Sequence, residues 1–99
     1  MKFRARVLEL VSKVPRGKVT TYKELARALG NPKACRAVGN ALAANPRPIE
    51  IPCHRVVRSD GKIGGYRLGR KKKIKLLVRE GVKVEDGKVD LRGLFRFRK

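Results

Sequence analysis

The sequence predicts a mainly α-helical domain with small β-hairpins, a winged helix-turn-helix-like fold of the kind that binds DNA. Three observations predict it. Apolar residues recur at helical spacing in four segments, two of them joined by the stop-start pair Gly30-Asn31. Short β-branched runs flank Ser59-Asp60-Gly61 and Asp86-Gly87, which are turn sequences. The formal net charge is +19 on 99 residues, which calls for a polyanionic partner.

In chain order, Phe3, Val7, Leu10, Val11 and Val14 mark a first helix over about 2–13, stopped near Pro15. Arg16-Gly17-Lys18 is a turn, and Val19-Thr20 a short extended piece. Thr21-Tyr22-Lys23-Glu24 has the form of a capping box, with the Thr21 hydroxyl on the Glu24 amide and Glu24 reaching back. The helix it opens turns Leu25, Ala26 and Leu29 inward and ends at Gly30. Asn31-Pro32 starts the next helix, which runs to about Ala43. Its apolar stripe is Cys35, Val38 and Leu42. Another face holds Arg36, Gly39, Asn40 and Ala43, small residues beside one arginine. Such a face packs closely on a neighbouring helix or on nucleic acid; charge and the helix-turn-helix favour DNA.

Asn45-Pro46-Arg47-Pro48 reads as a stiff, extended connector. Val56-Val57 and Lys62-Ile63 read as a hairpin, followed by a flexible Gly64-Gly65 and the aromatic Tyr66. Ile74, Leu77 and Val78 mark a last main helix from Arg70 to Glu80, capped by Gly81. Val82–Val84 and Lys88–Leu91 form a second hairpin around Asp86-Gly87. The end, Phe95-Arg96-Phe97-Arg98-Lys99, is basic and aromatic. The length suits one domain.

Lys and Arg number 27 against 8 Asp and Glu. Nucleic acid, anionic membrane and acidic protein match that balance. No apolar run approaches transmembrane length, and Phe3-Arg4-Ala5-Arg6-Val7 breaks up any signal-peptide core. The expectation is a cytoplasmic chain with no membrane association, whose two cysteines stay thiols. The absence of Gln and the 35% charged content fit a heat-adapted protein.

The stretch Ile51-Pro52-Cys53-His54-Arg55-Val56-Val57 holds one of the two cysteines and the only histidine. A metal site needs three or four ligands, and the supply of two cysteines and one histidine argues against one. A buried structural cysteine is the plain alternative, and neighbours on a strand face opposite ways. As a reactive pair, the imidazole takes the thiol proton, directly or through a water, and a third group orients the ring. Glu80, three residues after Leu77 and four after Leu76, suits that third place, unless it merely pairs with one of the many lysines.

The run from Asn31 to Tyr66, with Pro-Cys-His-Arg-Val, Asn45-Pro46 before it and Gly65-Tyr66 beyond it, strongly resembles the O6-methylguanine-DNA methyltransferase family, the suicide DNA alkyltransferases. The resemblance covers about residues 3–81. It implies double-stranded DNA carrying O6-alkylguanine as partner, a flipped nucleotide reached through the minor groove, irreversible alkyl transfer to Cys53, no cofactor, no metal and a monomer. Cys53 matches the alkyl acceptor, His54 the water-linked base and Glu80 the acid that orients it. Asn45 matches the hinge asparagine, and Tyr22 the donor to guanine N3. Arg36 matches the arginine that fills the gap in the duplex, on a helix whose Gly39, Asn40 and Ala43 face DNA with Thr21 nearby. Val56 matches the residue whose carbonyl reads the guanine amino group, and Tyr66 the loop tyrosine that closes the pocket. Arg67 stands where some members use serine to reach guanine O6.

Residues 1–81 are thus expected to be the DNA-binding and active-site domain, without the N-terminal domain of most relatives, and 82–99 an extension. Two rival readings exist. The non-enzymatic alkyltransferase-like proteins bind damaged DNA but usually carry tryptophan in place of the cysteine. A plain winged-helix regulator explains the charge but not Pro52-Cys53-His54.

Overall fold

Helix α1 (Phe3–Val11) turns Val7 and Val11 inward, both fully buried in this computed structural model, which describes residues 2–97. It is shorter than expected. Approaching Pro15 it tightens into i→i−3 bonds, Lys13 to Leu10 and Val14 to Val11, each 3.0 Å.

Strand β1 (Thr20–Thr21) leads into α2 (Tyr22–Ala28). Thr21 Oγ1 accepts the Glu24 amide at 3.1 Å, which is half of the capping box. The other half is replaced, because the Glu24 carboxylate pairs with Arg27 at 3.5 Å. At Gly30 (φ 82°) the Asn31 amide reaches Ala26 O and the Gly30 amide reaches Arg27 O, both at 3.0 Å. That left-handed stop ends α2 where the sequence places it.

Helix α3 (Cys35–Ala43) begins later than Asn31-Pro32 suggests. The Asn31 side chain accepts the Lys33 amide and its carbonyl accepts the Ala34 amide, closing a separate turn first. Val38, Ala41 and Leu42 form the buried stripe, and Cys35 is only half-buried. The Asn45–Pro48 segment is a further correction. It is not an extended connector but a folded loop, closed by Ile51 N on Arg47 O at 2.8 Å, with Ile49 at φ 78°. Asn45, fully buried, holds it from inside.

Residues 53–55 form a 3₁₀ turn, and β2 (Val56–Val57) follows. The expected first hairpin is only partly formed. Its turn closes, with Arg58 N on Lys62 O at 2.9 Å. The partner of β2 is β1 instead, in parallel, Thr20 opposite Val56 and Thr21 opposite Val57. Helix α4 (Arg70–Arg79) ends at Gly81 (φ 90°) through Val82 N on Leu77 O at 2.9 Å. Its inner face is Lys73, Leu76 and Leu77, one stripe at i, i+3 and i+4. Val78, expected inward, falls off that stripe and is 55% exposed. Strands β3 (Val84–Glu85) and β4 (Lys88–Val89) form the second hairpin as expected, antiparallel about Asp86 and Gly87, both at positive φ.

Two apolar clusters result. One joins α1, α2 and α3 and includes Cys53 and Val56. The other gathers Val19, Val57, Ile63, Leu77 and Val89. Adjacent strand residues point opposite ways, so Val56 faces one core and Val57 the other, and the β1–β2 pair is the partition between them. The Val89 amide bonds Gly61 O at 2.8 Å and the Ile63 amide Gly87 O at 3.0 Å, tying the hairpin to the rest. Phe95 N reaches Val19 O at 2.8 Å, and Phe97 packs against the first core. Arg98 and Lys99, the last of the basic tail, lie outside the described residues.

Candidate active site

The Pro52 ring precedes a 3₁₀ turn rather than a strand, so the opposite-face geometry of a strand does not apply to Cys53 and His54. Both side chains are buried, at 4% and 0% exposure. The turn is fixed by Cys53 N on Ile51 O at 2.7 Å and Arg55 N on Pro52 O at 2.9 Å. It packs against α4, and this brings Glu80 to it.

His54 Nε2 lies 3.0 Å from Glu80 Oε1. Arg55 grips the same carboxylate with two bonds, Nε to Oε1 at 2.9 Å and Nη2 to Oε2 at 2.7 Å, and donates Nη1 to Val14 O at 2.8 Å. Burial alone would raise the Glu80 carboxyl, but the Arg55 and His54 bonds and charges outweigh it and hold it below the usual range. A carboxylate accepts only, so Nε2 carries the hydrogen and Nδ1 is the bare, basic nitrogen. Nδ1 is buried with no partner among the described residues. Burial lowers the imidazole pKa, and Glu80 opposes that shift without reversing it. The ring is neutral at pH 7 and able to take a proton.

Burial also raises the Cys53 thiol, while the Asn45 amide, the Lys73 charge, the backbone and Arg67 pull it back. The thiol borders a cavity of about 230 Å³ lined by Tyr22, Gly39, Leu42, Ala43, Gly65, Tyr66 and Arg67. Tyr22 is pushed above the ordinary phenol value by burial and then by the Cys53 charge, so it is protonated at neutral pH. Burial, with the charges of Cys53 and Glu80, pushes Tyr66 up to about 12. Its hydroxyl is buried with no partner among the described residues, and its ring stands edge-on to His54 at 6.3 Å.

The structure therefore brings Cys53, His54, Glu80, Tyr22, Tyr66 and Arg67 together. Asn45 is the bracket behind them. Its Nδ2 donates to Ile51 O at 2.9 Å, its Oδ1 accepts Arg47 N at 2.9 Å, and its carbonyl accepts Arg67 Nη1. It thus ties the end of α3 to the cysteine turn and to the 64–69 loop. Arg36 and Asn40 are exposed on α3, and Arg36 shares an outer groove with Tyr22, Gly39, Arg58 and Gly64. Gly39 and Ala43 border the cavity itself. Val56 and Thr21 are placed differently. The Val56 side chain is wholly in the core, which leaves only its backbone to meet a ligand. Thr21 is 3% exposed with its hydroxyl spent on capping α2.

Two residues were not singled out by sequence. Arg55 sits beside the histidine in an already conspicuous run, but nothing local says that its fork reaches Glu80. Lys73 is fully buried, with Nζ 3.0 Å from Gly65 O. Its spacing from Leu76, Leu77 and Glu80 is the signal that could have found it.

Residues 2–82 match the family described as 6-O-methylguanine DNA methyltransferase, DNA binding domain. A methylated-DNA–protein-cysteine methyltransferase of Methanothermobacter thermautotrophicus is 52% identical over 85% of this chain and 47% of its own length. The chain thus spans about half the length of that curated relative. The crystal structure of an O6-methylguanine-DNA methyltransferase from Pyrococcus kodakaraensis superposes with TM-score 0.75 at 48% identity, over 83% of this chain and 47% of that one. The structure of S. pombe Atl1 in complex with damaged DNA containing O6-carboxymethylguanine gives TM-score 0.85 at 30% identity, over 97% of this chain and 99% of that one.

Proposed function

This chain belongs to the 6-O-methylguanine DNA methyltransferase family, through that family's DNA-binding domain, and on that premise we propose that it is a DNA repair alkyltransferase acting on O6-alkylguanine in duplex DNA. The observation that carries the reading is the placement of Cys53. Its thiol borders the same cavity as the protonated Tyr22, and a base oriented by an Arg55-held carboxylate stands beside it.

The reacting carbon lies on a base edge inside the stack, so the nucleotide is turned out into the cavity. Entry is through the minor groove, and Arg36, exposed at the start of the small-residue face of α3, fills the gap left behind. His54 Nδ1 takes the Cys53 proton through one water, and Glu80 stabilises the imidazolium that forms. The thiolate attacks the alkyl carbon in line. The carbon–O6 bond breaks, its electron pair stays with the base, and Tyr22 delivers its phenolic proton to N3. Cys53 becomes a thioether. No step regenerates the thiol, so one protein molecule reacts once.

The test is intact mass after incubation with a duplex carrying one O6-methylguanine. The expected result is one added methyl per protein, on the peptide containing Cys53, with Cys53→Ala binding DNA but gaining no mass. Methylation at Cys35, or repeated turnover, refutes the reading. A second reading, a non-enzymatic sensor of alkylated DNA, is favoured by one observation, the near end-to-end match with Atl1. Tight binding with no mass gain in the unaltered protein selects it.

A further inference from the structure

Helix α4 carries Lys71, Lys72, Lys75 and Arg79 on its outer side, all exposed. Lys71, Lys75 and Arg79 are four residues apart, so they stand in one row that steps about 6 Å along the axis each time. Arg16 continues the row past the helix end, with Nη2 on Arg79 O at 3.4 Å. Among the described residues no carboxylate pairs with any of these five cations. The helix contains no acid. Glu80, its C-cap, is turned onto His54 and Arg55.

This row works against its own helix. Like charges at i and i+4 repel. The first turn, where acids suit the macrodipole, holds Arg70, Lys71 and Lys72 instead. Alternating Glu and Lys would hydrate the same face and stabilise the helix, so solubility does not call for this pattern. Local rules are broken in this way at functional surfaces. The occupant that suits a straight row of unopposed cations is a linear polyanion. The row from Lys71 to Arg79, about 12 Å, passes about three phosphates of one DNA strand.

We propose that the outer face of α4 is a second duplex-binding surface, so that one molecule holds two segments of DNA at once, one on α3 and one on α4. Ile74 and Leu77 root α4 in the second core, while α3 belongs to the first. Each helix turns its outer face away from its own core, so the two faces look out on different sides of the β1–β2 partition. Contacts on α4 are to phosphate alone, so the second segment needs no lesion and no particular sequence. A molecule that grips a second segment before it releases the first passes between duplexes without entering free solution.

The inference rests on α3 being the primary DNA surface of the proposed function, but not on alkyl transfer. The test is native mass spectrometry with a short undamaged duplex in excess, which counts partners directly. The unaltered protein is expected to give a complex of one protein with two duplexes. Lys71→Gln, Lys75→Gln and Arg79→Gln together should remove that species and keep the one-to-one complex. The triple variant should melt no lower than the parent, and its alkyl-transfer rate at saturating DNA should be unchanged. The control removes the same charge from the β3–β4 hairpin, by Lys83→Gln, Lys88→Gln and Arg92→Gln, where Lys83 and Arg92 are already paired with Glu85 and Asp90. It should keep the second duplex. Capture of a labelled second duplex on beads carrying the first should fall about fortyfold between about 50 and 200 mM salt, for about three phosphates neutralised. The proposal is overturned if the unaltered protein never takes a second duplex, or if the triple variant still does. Equal loss in the hairpin control, or bridging only by pairs of protein molecules, also overturns it. Should the triple variant not fold, Lys75→Gln alone is expected to cut bead capture severalfold, and unchanged capture is decisive against the surface. If methylated DNA adds no mass, the alkyltransferase reading fails and the duplex count still decides this one.

Discussion

Arg55→Met is expected to have a large effect on folding. It keeps the apolar stem and removes both bonds to Glu80 and the bond to Val14 O. The pair is mostly out of water, with side-chain exposures of 15% for Arg55 and 9% for Glu80. Breaking a fully buried pair by removing one partner costs about 3–5 kcal/mol, because the other charge is stranded. Residual exposure and the His54 bond place this case at the low end, about 3 kcal/mol. For a domain near this size each kcal/mol is worth about 4–8 °C, so the melting temperature should fall by roughly 12–24 °C. The assay is thermal and urea unfolding at pH 7 of Arg55→Met, Glu80→Gln and the double variant. If the stranded charge is the cause, the double variant loses clearly less than the two single losses added together. A single-variant loss below about 1 kcal/mol, as for a surface pair, or strict additivity, refutes the reasoning.

Arg36→Ala should leave the unfolding free energy within about 0.5 kcal/mol of the parent, since the side chain is exposed. It should slow reaction with alkylated duplex far more than with free alkylguanine base, because unstacking costs a few kcal/mol; equal slowing of both would remove Arg36 from the gap-filling role. Acid should destabilise the fold in two stages. His54 is held below its ordinary 6.5 by burial, so the unfolded chain takes the proton first and stability declines as pH drops below about 6.5. Glu80 is held below its ordinary 4.5, so its contribution is full above that value and is lost as pH falls toward the depressed one. Urea midpoints from pH 7 to about pH 2 check this, and His54→Gln should abolish the upper stage only.

The helices were legible because their signals are local. Thr21 before Tyr22, and Gly30 and Gly81 after their helices, act within a few residues, and each landed where expected. The second hairpin was legible for the same reason, since Asp86-Gly87 sets its own turn. What failed was choice between partners. Val56-Val57 favours a strand, but nothing local says that its partner is Thr20-Thr21 rather than Lys62-Ile63. Asn31-Pro32 was a valid start signal that a tighter Asn31 turn pre-empted. Asn45 and its prolines looked like a rod because its side-chain bonds to Ile51 and Arg47 are invisible in the sequence. In the site, Cys53, His54 and Glu80 were singled out from residue type and spacing, and Glu80 does lie against His54. Arg55 and Lys73 were not, since a large charge excess makes any one cation look like surface.

The parallel bridge between β1 and β2 also bears on how the chain reaches this state. Hairpins and helices form from neighbours in microseconds, but a parallel pair joining Thr20 to Val56 must first close the whole intervening segment, with both α2 and α3 inside that loop. Loop closure of that kind is an entropic toll collected before any contact repays it. Val56 and Val57 then enter both cores in a single event, and the cysteine turn just before them is set at the same moment. The transition state for folding is therefore expected to contain this bridge, with high φ-values at Val56 and Val57 and low ones in the β3–β4 hairpin. The cysteine turn and the native topology are thus expected to arrive together, so a partly folded chain does not yet hold His54 against Glu80.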